Sequence, residues 1–240
     1  ASFAGQQESF LNIRGEDDLL EACRRCMASL FTDRAIAYRE AHGFDHMDVA
    51  LSVGVQKMIR ANDASAGVLF TIDTETGFPE AIVINAAWGL GETVVKGQVT
   101  PDQFTVYKPF LDREGLVPIL RKERGSKEEK IIYTEGGTET VATSDEERAA
   151  FTLSDDEILT LARWGQQIEA HYERPMDIEW AKDGRSGDLF IVQARPETVQ
   201  SQRAADVLKS YRLTESGTSL LTGQAIGEAI ATGTVCIIED

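Results

Sequence analysis

The sequence predicts an α+β fold, with a mostly antiparallel sheet and flanking helices. Three short β-rich runs, at residues 49–59, 67–73 and 81–85, are separated by turn residues, and short turns between strands favour antiparallel pairing. Two helical patterns, at residues 17–42 and 153–172, stand apart from these strands in the chain. Helices and strands that are segregated in this way are typical of the α+β class.

The first helix is predicted over residues 17–42, because apolar residues recur there at helical spacing and Gly43 ends the pattern. Cys23 and Cys26 lie inside it with C-x-x-C spacing. No second cysteine pair follows downstream, so we expect reduced thiols rather than a zinc site or a redox pair. Reduced thiols predict a cytoplasmic location.

The β-rich runs lead into two less regular regions. Residues 85–97 form a glycine-spaced loop, in which Gly89 and Gly91 fit a tight turn or a close approach to a ligand. Further on, residues 110–150 contain the mixed-sign run 121–130. This charge pattern predicts a solvated excursion from the main sheet.

The second helix begins with a capping box. Ser154 is a favourable N-cap, and Glu157 follows it three residues later. The helical pattern then continues to about Tyr172, and Pro175 separates it from the next element.

A β-hairpin is predicted over residues 176–196, since both of its halves alternate polar and apolar residues. Alternation places Asp177 and Glu179 on one face of the first strand, and Gln193 and Arg195 on one face of the second. The opposite positions are predicted to enter the core; these are Ile178, Trp180, Phe190 and either Ile191 or Val192.

The polar face of this hairpin has two interpretations. Cross-strand neighbours lie roughly 5 Å apart, so the face gathers two carboxylates, an amide and a guanidinium. Carboxylate oxygens suit Mg²⁺ and an arginine fork suits phosphate, which predicts a metal–triphosphate site. The alternative is a solvated strand face with a weak surface ion pair.

Composition and charge exclude several classes of function. The chain has 240 residues and a net charge of −16, which argues against binding nucleic acid or an anionic membrane surface. No run of eighteen apolar residues occurs, so no membrane-spanning helix is predicted. An anionic nucleotide would bind only where Mg²⁺ and local cations offset the field.

Seven segments in residues 1–200 form a further pattern. They are residues 2–12 (SFAGQQESFLN), 33–39 (DRAIAYR), 55–58 (VQKM), 66–71 (AGVLFT), 88–92 (WGLGE), 177–180 (DIEW) and 193–196 (QARP). In this order they resemble the nucleotide-binding domain of the phosphoenolpyruvate synthases (pyruvate, water dikinases). Pyruvate phosphate dikinases and rifamycin phosphotransferases share this domain.

The resemblance implies an ATP-grasp-type fold, in which two lobes clamp Mg·ATP between sheets. By motif, Gly5 and Ser9 would belong to a loop that faces the phosphates, and Gln56 would contact the nucleoside. It also implies a relay, in which ATP phosphorylates a histidine on a swivelling domain that carries the phosphoryl group to pyruvate in a barrel domain.

The same resemblance assigns roles to the hairpin. Glu179 and Gln193 would hold Mg²⁺ and phosphate oxygens, Arg195 would pair with phosphate, and Asp177 would supply a further carboxylate to the metal. These roles agree with the metal–triphosphate interpretation of the polar face and favour it over the solvated one.

We expect the chain to be part of a larger enzyme. Residues 1–200 would be the C-terminal portion of the ATP-binding domain, 201–222 a linker and 223–240 the first strands of the swivelling domain. The N-terminal lobe, the carrier histidine and the pyruvate-binding barrel would lie elsewhere, which leaves this chain no catalytic residue of its own. His42, His46 and His171 are interpreted as ordinary surface or boundary histidines.

These expectations leave three functions open. The chain is the ATP-binding part of a phosphoenolpyruvate synthase, the same domain with a rifamycin-type antibiotic as acceptor, or a nucleotide-binding module without turnover. Without the other lobe the chain would not complete phosphoenolpyruvate synthesis, and its exposed core surface would favour homo-oligomers.

Overall fold

A computed structural model describes residues 7–135, 137–198 and Gly233 of the chain. The predicted linker and, apart from Gly233, the predicted swivelling-domain segment lie outside the described residues. The main feature of the structure is a six-stranded sheet. Its strands are β1 (Ser65–Phe70), β2 (Ala81–Trp88), β3 (Asp102–Tyr107), β4 (Ile119–Glu123), β7 (Met176–Lys182) and β8 (Leu189–Pro196). They lie in the order β4-β3-β2-β1-β7-β8, with antiparallel pairing between all neighbours. The prediction of an α+β fold with a mostly antiparallel sheet is confirmed.

A separate hairpin and five helices complete the described part of the chain. The hairpin pairs β5 (Glu129–Thr134) with β6 (Gly137–Ala142). The helices are α1 (Glu16–Ala28), α2 (Asp33–His42), α3 (Glu92–Val95), α4 (Asp145–Ala149) and α5 (Asp155–Tyr172). Three short 3-10 turns lie at Ser29–Phe31, Ala61–Asp63 and Lys108–Phe110.

Helix α5 packs across one face of the sheet. Its capping box is confirmed, because Ser154 accepts from the Glu157 backbone N–H and the Glu157 side chain accepts from the Ser154 N–H. At Gly165 an added Cβ would lie 2.8 Å from a Leu69 methyl, so a larger residue would force the Leu69 side chain or the helix to shift. The main core lies here and includes Leu69, Ile82, Ile84, Phe104, Ile158, Leu161, Ile178 and Trp180.

The prediction of one helix over residues 17–42 is wrong in one respect, because the helix breaks at Ser29–Phe31. The Ser29 hydroxyl donates to the Cys26 carbonyl at 2.6 Å. Thr32 is extended and caps α2 by accepting from the Ala35 N–H. Hydroxyl side chains of this kind compete with helical backbone bonds, and here they end α1 and restart the chain as α2.

The predicted strand at residues 49–59 is also wrong, since this segment forms no helix or strand. Both edges of β1 are already occupied, by β2 and β7. Side chains hold the segment instead: Gln56 Nε2 donates to the Val192 carbonyl at 3.0 Å, and the Tyr133 hydroxyl donates to the Ile59 carbonyl at 3.0 Å.

The predicted solvated excursion is confirmed only in part. The β5–β6 hairpin does leave the main sheet, but β4 is an edge strand of that sheet, and the sequence reading missed both β3 and β4. Lys127 is fully buried against Asp102. The charges of β4 resemble those of a loop because the outer strand of a sheet is exposed to water.

Candidate functional site

The hairpin of β7 and β8 brings four polar side chains together as predicted. Its register pairs Asp177 with Arg195 and Glu179 with Gln193. Ile178, on the opposite face, is 0% exposed in the main core. The alternation of the sequence therefore identified the polar face of the hairpin and placed Ile178 correctly on the core face.

A β-bulge next to Glu179 changes which side chains of β8 lie on each face of the sheet. Trp180 pairs with Ile191, so Val192 is the extra residue on β8. Ile191 packs against the main core, whereas Val192 packs on the same side as Glu179. Phe190 was predicted to be a core residue, but it is 39% exposed. It lies beyond the bulge, opposite Ala181 rather than a main-core residue.

Asp177 and Arg195 form an ion pair that leaves hydrogen-bonding atoms unused on both side chains. Arg195 Nε donates to Asp177 Oδ2 at 2.8 Å, and Arg195 Nη2 lies 2.7 Å from the same oxygen. The Asp177 side chain is 13% exposed and that of Arg195 is 46% exposed. The second carboxylate oxygen and Nη1 of the guanidinium therefore stay available to a ligand, as far as contacts among the described residues show.

Glu179 is the most unusual group of the face. Burial raises the pKa of its carboxyl and the nearby Asp177 raises it further, while Arg195 opposes the shift. Within residues 7–135 and 137–198, no hydrogen bond or ion pair to its carboxylate is found. A half-buried carboxylate without a partner is costly unless a cation joins it.

The donor set fits Mg²⁺ with the phosphates of a ligand better than a cage made of protein alone. Over the described part of the chain, no three His, Cys, Asp or Glu side chains are arranged to hold a metal ion. Mg²⁺ is commonly bound by one or two carboxylates together with substrate phosphates. Asp177 and Glu179 supply two carboxylates, and Gln193 adds an amide oxygen beside them.

An apolar patch closes one side of this polar face. Ala66 of β1 and Ala181 of β7 lie two residues from Val68 and Glu179, which pair with each other, so all four share a face of the sheet. The apolar patch comprises Ala61, Ala66, Leu90, Ile131 and Ala181, with Met58, Ile59, Tyr133 and Val192 packed against them. It excludes water from the sheet next to the hairpin.

Gly89 shapes the edge of the apolar patch. Its φ is +77°, and an added Cβ would lie 2.5 Å from the Ile131 carbonyl oxygen. The next residue, Leu90, donates its N–H to the same carbonyl at 3.0 Å. Gly89 therefore makes a tight turn against β5, the structural one of the two readings of this loop.

Of the other predicted site residues, one lies beside the hairpin, one has no described bond to it and one is not described. Gln56 reaches β8 through its bond to Val192, so it lies beside the polar face. Ser9 is exposed, and none of the described hydrogen bonds joins it to the hairpin. The neighbouring Glu8 pairs with Arg34 at 3.1 Å. Gly5 lies outside the described residues.

Of the three histidines, His46 has a described hydrogen-bond partner at both of its ring nitrogens. His46 Nδ1 accepts from Arg39 Nε at 2.9 Å, and His46 Nε2 lies 2.8 Å from a Glu40 carboxylate oxygen. Both ring nitrogens are therefore engaged.

Among the described helices, none is long and apolar enough to cross a membrane.

Sequence comparison supplies the family. Residues 1–215 match the family model described as "Pyruvate phosphate dikinase, AMP/ATP-binding domain". The phosphoenolpyruvate synthase of Synechocystis sp. is 55% identical over the whole chain, which covers 30% of that protein. Those of Pseudomonas aeruginosa and Escherichia coli are 55% and 51% identical, and the chain covers 31% of each.

The chain therefore belongs to the pyruvate phosphate dikinase AMP/ATP-binding domain family. It spans about a third of the length of the curated relatives it matches.

Proposed function

We propose that this chain is the Mg·ATP-binding part of a phosphoenolpyruvate synthase, and that the polar hairpin face is its nucleotide site. The observation that carries this proposal is the convergence of Asp177, Glu179, Gln193 and Arg195 on one face, where the Glu179 carboxylate has no hydrogen bond or ion pair to any residue that the structure describes. The family match and the three phosphoenolpyruvate synthase relatives support it.

In this proposal the oxygen-bearing side chains bind the metal ion, and the arginine binds phosphate. Glu179, Gln193 and Asp177 hold Mg²⁺, which when bound neutralises part of the triphosphate charge. Arg195 keeps one edge on Asp177 and directs its remaining N–H groups to a phosphate oxygen. Phosphoryl transfer needs mainly positioning and charge neutralisation from the protein, so these residues orient the phosphates rather than act as acid or base.

The proposed fold is of the ATP-grasp type, with the nucleoside lying near Gln56 and with Gly5 and Ser9 in a loop that faces the phosphates. A second lobe, a swivelling histidine domain and a pyruvate-binding barrel are assigned to the longer protein. The proposed overall reaction converts ATP, pyruvate and water to phosphoenolpyruvate, AMP and phosphate. The free thiols Cys23 and Cys26 support a cytoplasmic setting, and self-association of the chain stays a prediction.

A rifamycin-type acceptor is the weaker alternative, because the three relatives compared above are all phosphoenolpyruvate synthases. A binding module without turnover is a different class of function. Phosphoryl transfer from ATP to a supplied histidine domain would exclude it.

Calorimetric titration of Mg·ATP tests the proposal. We expect saturable binding that Glu179→Ala and Arg195→Ala each weaken. Arg185→Ala is the matched control, since Arg185 lies in the turn of the same hairpin and is exposed. Equal affinity in all four proteins would place the nucleotide elsewhere. No heat from this chain, together with no heat from one extended by an N-terminal lobe, would end the assignment.

A further inference from the structure

One side chain supplies the polar link between residues 7–48 and the rest of the chain. Residues 7–48 comprise an N-terminal segment, residues 7–14, and the region of helices α1 and α2. Within residues 7–135 and 137–198, every hydrogen bond or ion pair that crosses from residues 7–48 to the remainder is made by Asn12. The polar contacts that place the N-terminal segment against the sheet are therefore those of Asn12.

The hydrogen-bonding groups of the Asn12 amide are all in use. Its Nδ2 donates to the Thr134 carbonyl at 2.9 Å and to the Gly137 carbonyl at 3.1 Å, at the turn between β5 and β6. Its Oδ1 accepts from Arg14 Nε at 3.3 Å. An amide has two N–H donors and one accepting oxygen, so each of them has a partner. The backbone of Asn12 has φ +58°, a left-handed conformation that asparagine adopts more readily than most residues.

The β5–β6 hairpin is itself fixed beside the polar face of the β7–β8 hairpin. Tyr133 lies next to the first of the two carbonyls that bind Asn12, and its hydroxyl donates to the Ile59 carbonyl at 3.0 Å. Ile131 and Tyr133 also pack in the apolar patch, to which Val192 of β8 contributes. A continuous series of contacts therefore connects Asn12 with β8.

The N-terminal segment is bonded to both helices as well. The Glu8 N–H donates to Ser29 Oγ at 3.2 Å, and the Glu8 carboxylate pairs with Arg34 at 3.1 Å. Ser29 directly follows α1, and Arg34 lies in α2. A shift of this segment relative to the sheet would therefore move Ser9 and both helices with it.

We infer that Asn12 is a positioning residue for the phosphates of the nucleotide. Its two bonds to the β5–β6 turn set the distance between the loop assigned to the phosphates and the polar face of β7 and β8. This inference rests on the proposed function, which assigns Gly5 and Ser9 to that loop, and it adds the contact that fixes the loop. Because Asn12 acts through the position of the loop, its loss should weaken a triphosphate far more than a nucleoside, which is assigned to Gln56.

Nuclear magnetic resonance of the nitrogen-15-labelled chain tests this inference, with Mg·ATP and adenosine as separate probes. Mg·ATP should shift the backbone signals of Ser9 in the loop and of Glu179 in the hairpin, with the same half-saturating concentration. Adenosine should shift the side-chain NH₂ signal of Gln56 and leave the Ser9 signal in place.

Asn12→Asp is the main variant, because it keeps the size of the side chain and replaces both donors with a carboxylate. It should raise the half-saturating Mg·ATP concentration by about tenfold, the effect of losing hydrogen bonds of ordinary strength. The value for adenosine should change less than twofold. Gln167→Glu adds the same charge at an exposed position of α5, across the sheet, and should change neither value.

Asn12→Gly separates the loss of the amide from the added charge. Glycine adopts the left-handed backbone conformation readily, so this variant removes the two bonds without opposing the local geometry. It should weaken Mg·ATP in the same direction and spare adenosine, and it provides the test if Asn12→Asp does not fold.

Four results would overturn the inference. Unchanged Mg·ATP affinity in both Asn12 variants, or a Ser9 signal that stays in place while Glu179 shifts, would leave the nucleotide site standing without this positioning residue. Equal losses for Mg·ATP and adenosine would assign Asn12 to the fold alone. If Mg·ATP leaves the Glu179 signal of the wild-type chain in place, the proposed function fails and the inference fails with it.

Discussion

Two acid–base clusters lie on the same sheet, and they differ in how fully their hydrogen bonds are used. Asp102 and Lys127 are both 0% exposed. One Asp102 oxygen accepts from Lys127 Nζ and from the Gly125 N–H, and the other accepts from the backbone and the hydroxyl of Thr152. This carboxylate is saturated, and it ties the loop after β4 to the segment before α5.

The hairpin cluster has the opposite character. Arg195 engages only one oxygen of Asp177, and Glu179 has no partner among the described residues. Saturated buried groups stabilise a fold, whereas half-buried groups with unused donors and acceptors are available to a ligand. Hydrogen-bond accounting, rather than residue type, therefore distinguishes the structural cluster from the proposed binding cluster.

The largest effect is expected where the structural cluster is broken. Asp102→Ala leaves the Lys127 ammonium buried without its counter-charge, and loss of one partner of a buried pair costs about 3–5 kcal/mol. Urea unfolding should show this loss directly. Asp177→Ala is the matched control and should cost clearly less, because it releases an arginine that is already 46% exposed. Equal losses in the two variants would break the comparison.

The next effect is on binding. Arg195→Ala should weaken Mg·ATP by roughly 10- to 100-fold, since hydrogen bonds to charged groups contribute about 1.5–3 kcal/mol each. Its free energy of unfolding should change by no more than about 1 kcal/mol. Calorimetry and urea unfolding of the same preparation measure the two quantities. A variant that loses stability but binds normally would assign Arg195 to the fold.

Glu179→Gln should stabilise the chain in the absence of ligand. Because the pKa of Glu179 is raised, the folded state holds its proton more tightly than the unfolded state. The free energy of unfolding then falls as pH rises from the ordinary glutamate range through the raised pKa, and the penalty persists at neutral pH. The variant should melt higher at neutral pH, with about 2–4 °C for each kcal/mol recovered.

The melting difference between wild type and Glu179→Gln should disappear at acidic pH, where wild-type Glu179 is protonated. Thermal melting across the pH range measures the difference between the two proteins at both neutral and acidic pH. A variant that melts lower than wild type at neutral pH would contradict the inference that no described residue stabilises the charged form of Glu179.

The smallest effect concerns the apolar patch. Burial raises the pKa of Tyr133 to about 12, and its hydroxyl donates to the Ile59 carbonyl. Tyr133→Phe keeps the ring and removes this bond, so it should cost about 0.5–1.5 kcal/mol. Urea unfolding measures the loss. Mg·ATP affinity should fall only slightly, through looser placement of the segment that carries Gln56.

The sequence predicted those parts of the fold whose signal is local. The hairpin follows from period-two alternation, and α5 from its capping box and helical spacing. Strand β4 was not predicted, because an edge strand carries charges like those of a loop. The segment at residues 49–59 looked like a strand, but no free edge of β1 remained for it.

The same limit applies to the candidate site. Asp177, Glu179, Gln193 and Arg195 lie on one hairpin, so alternation alone placed them together. Asn12 is linked to that hairpin through the β5–β6 turn, whose Thr134 carbonyl lies 122 residues away in the chain, and no local pattern encodes such a contact. Lys127 was read as solvated because its partner Asp102 lies 25 residues away in the chain.

The most direct test of the division between the two clusters is urea unfolding of wild type and Glu179→Gln, each with and without saturating Mg·ATP. A ligand that binds only the folded state stabilises it by about 2.7 kcal/mol at a concentration of 100 times its Kd. We expect a clear gain for wild type and a much smaller gain for Glu179→Gln, even though the variant should be the more stable protein without ligand. Equal gains in both proteins would contradict this expectation.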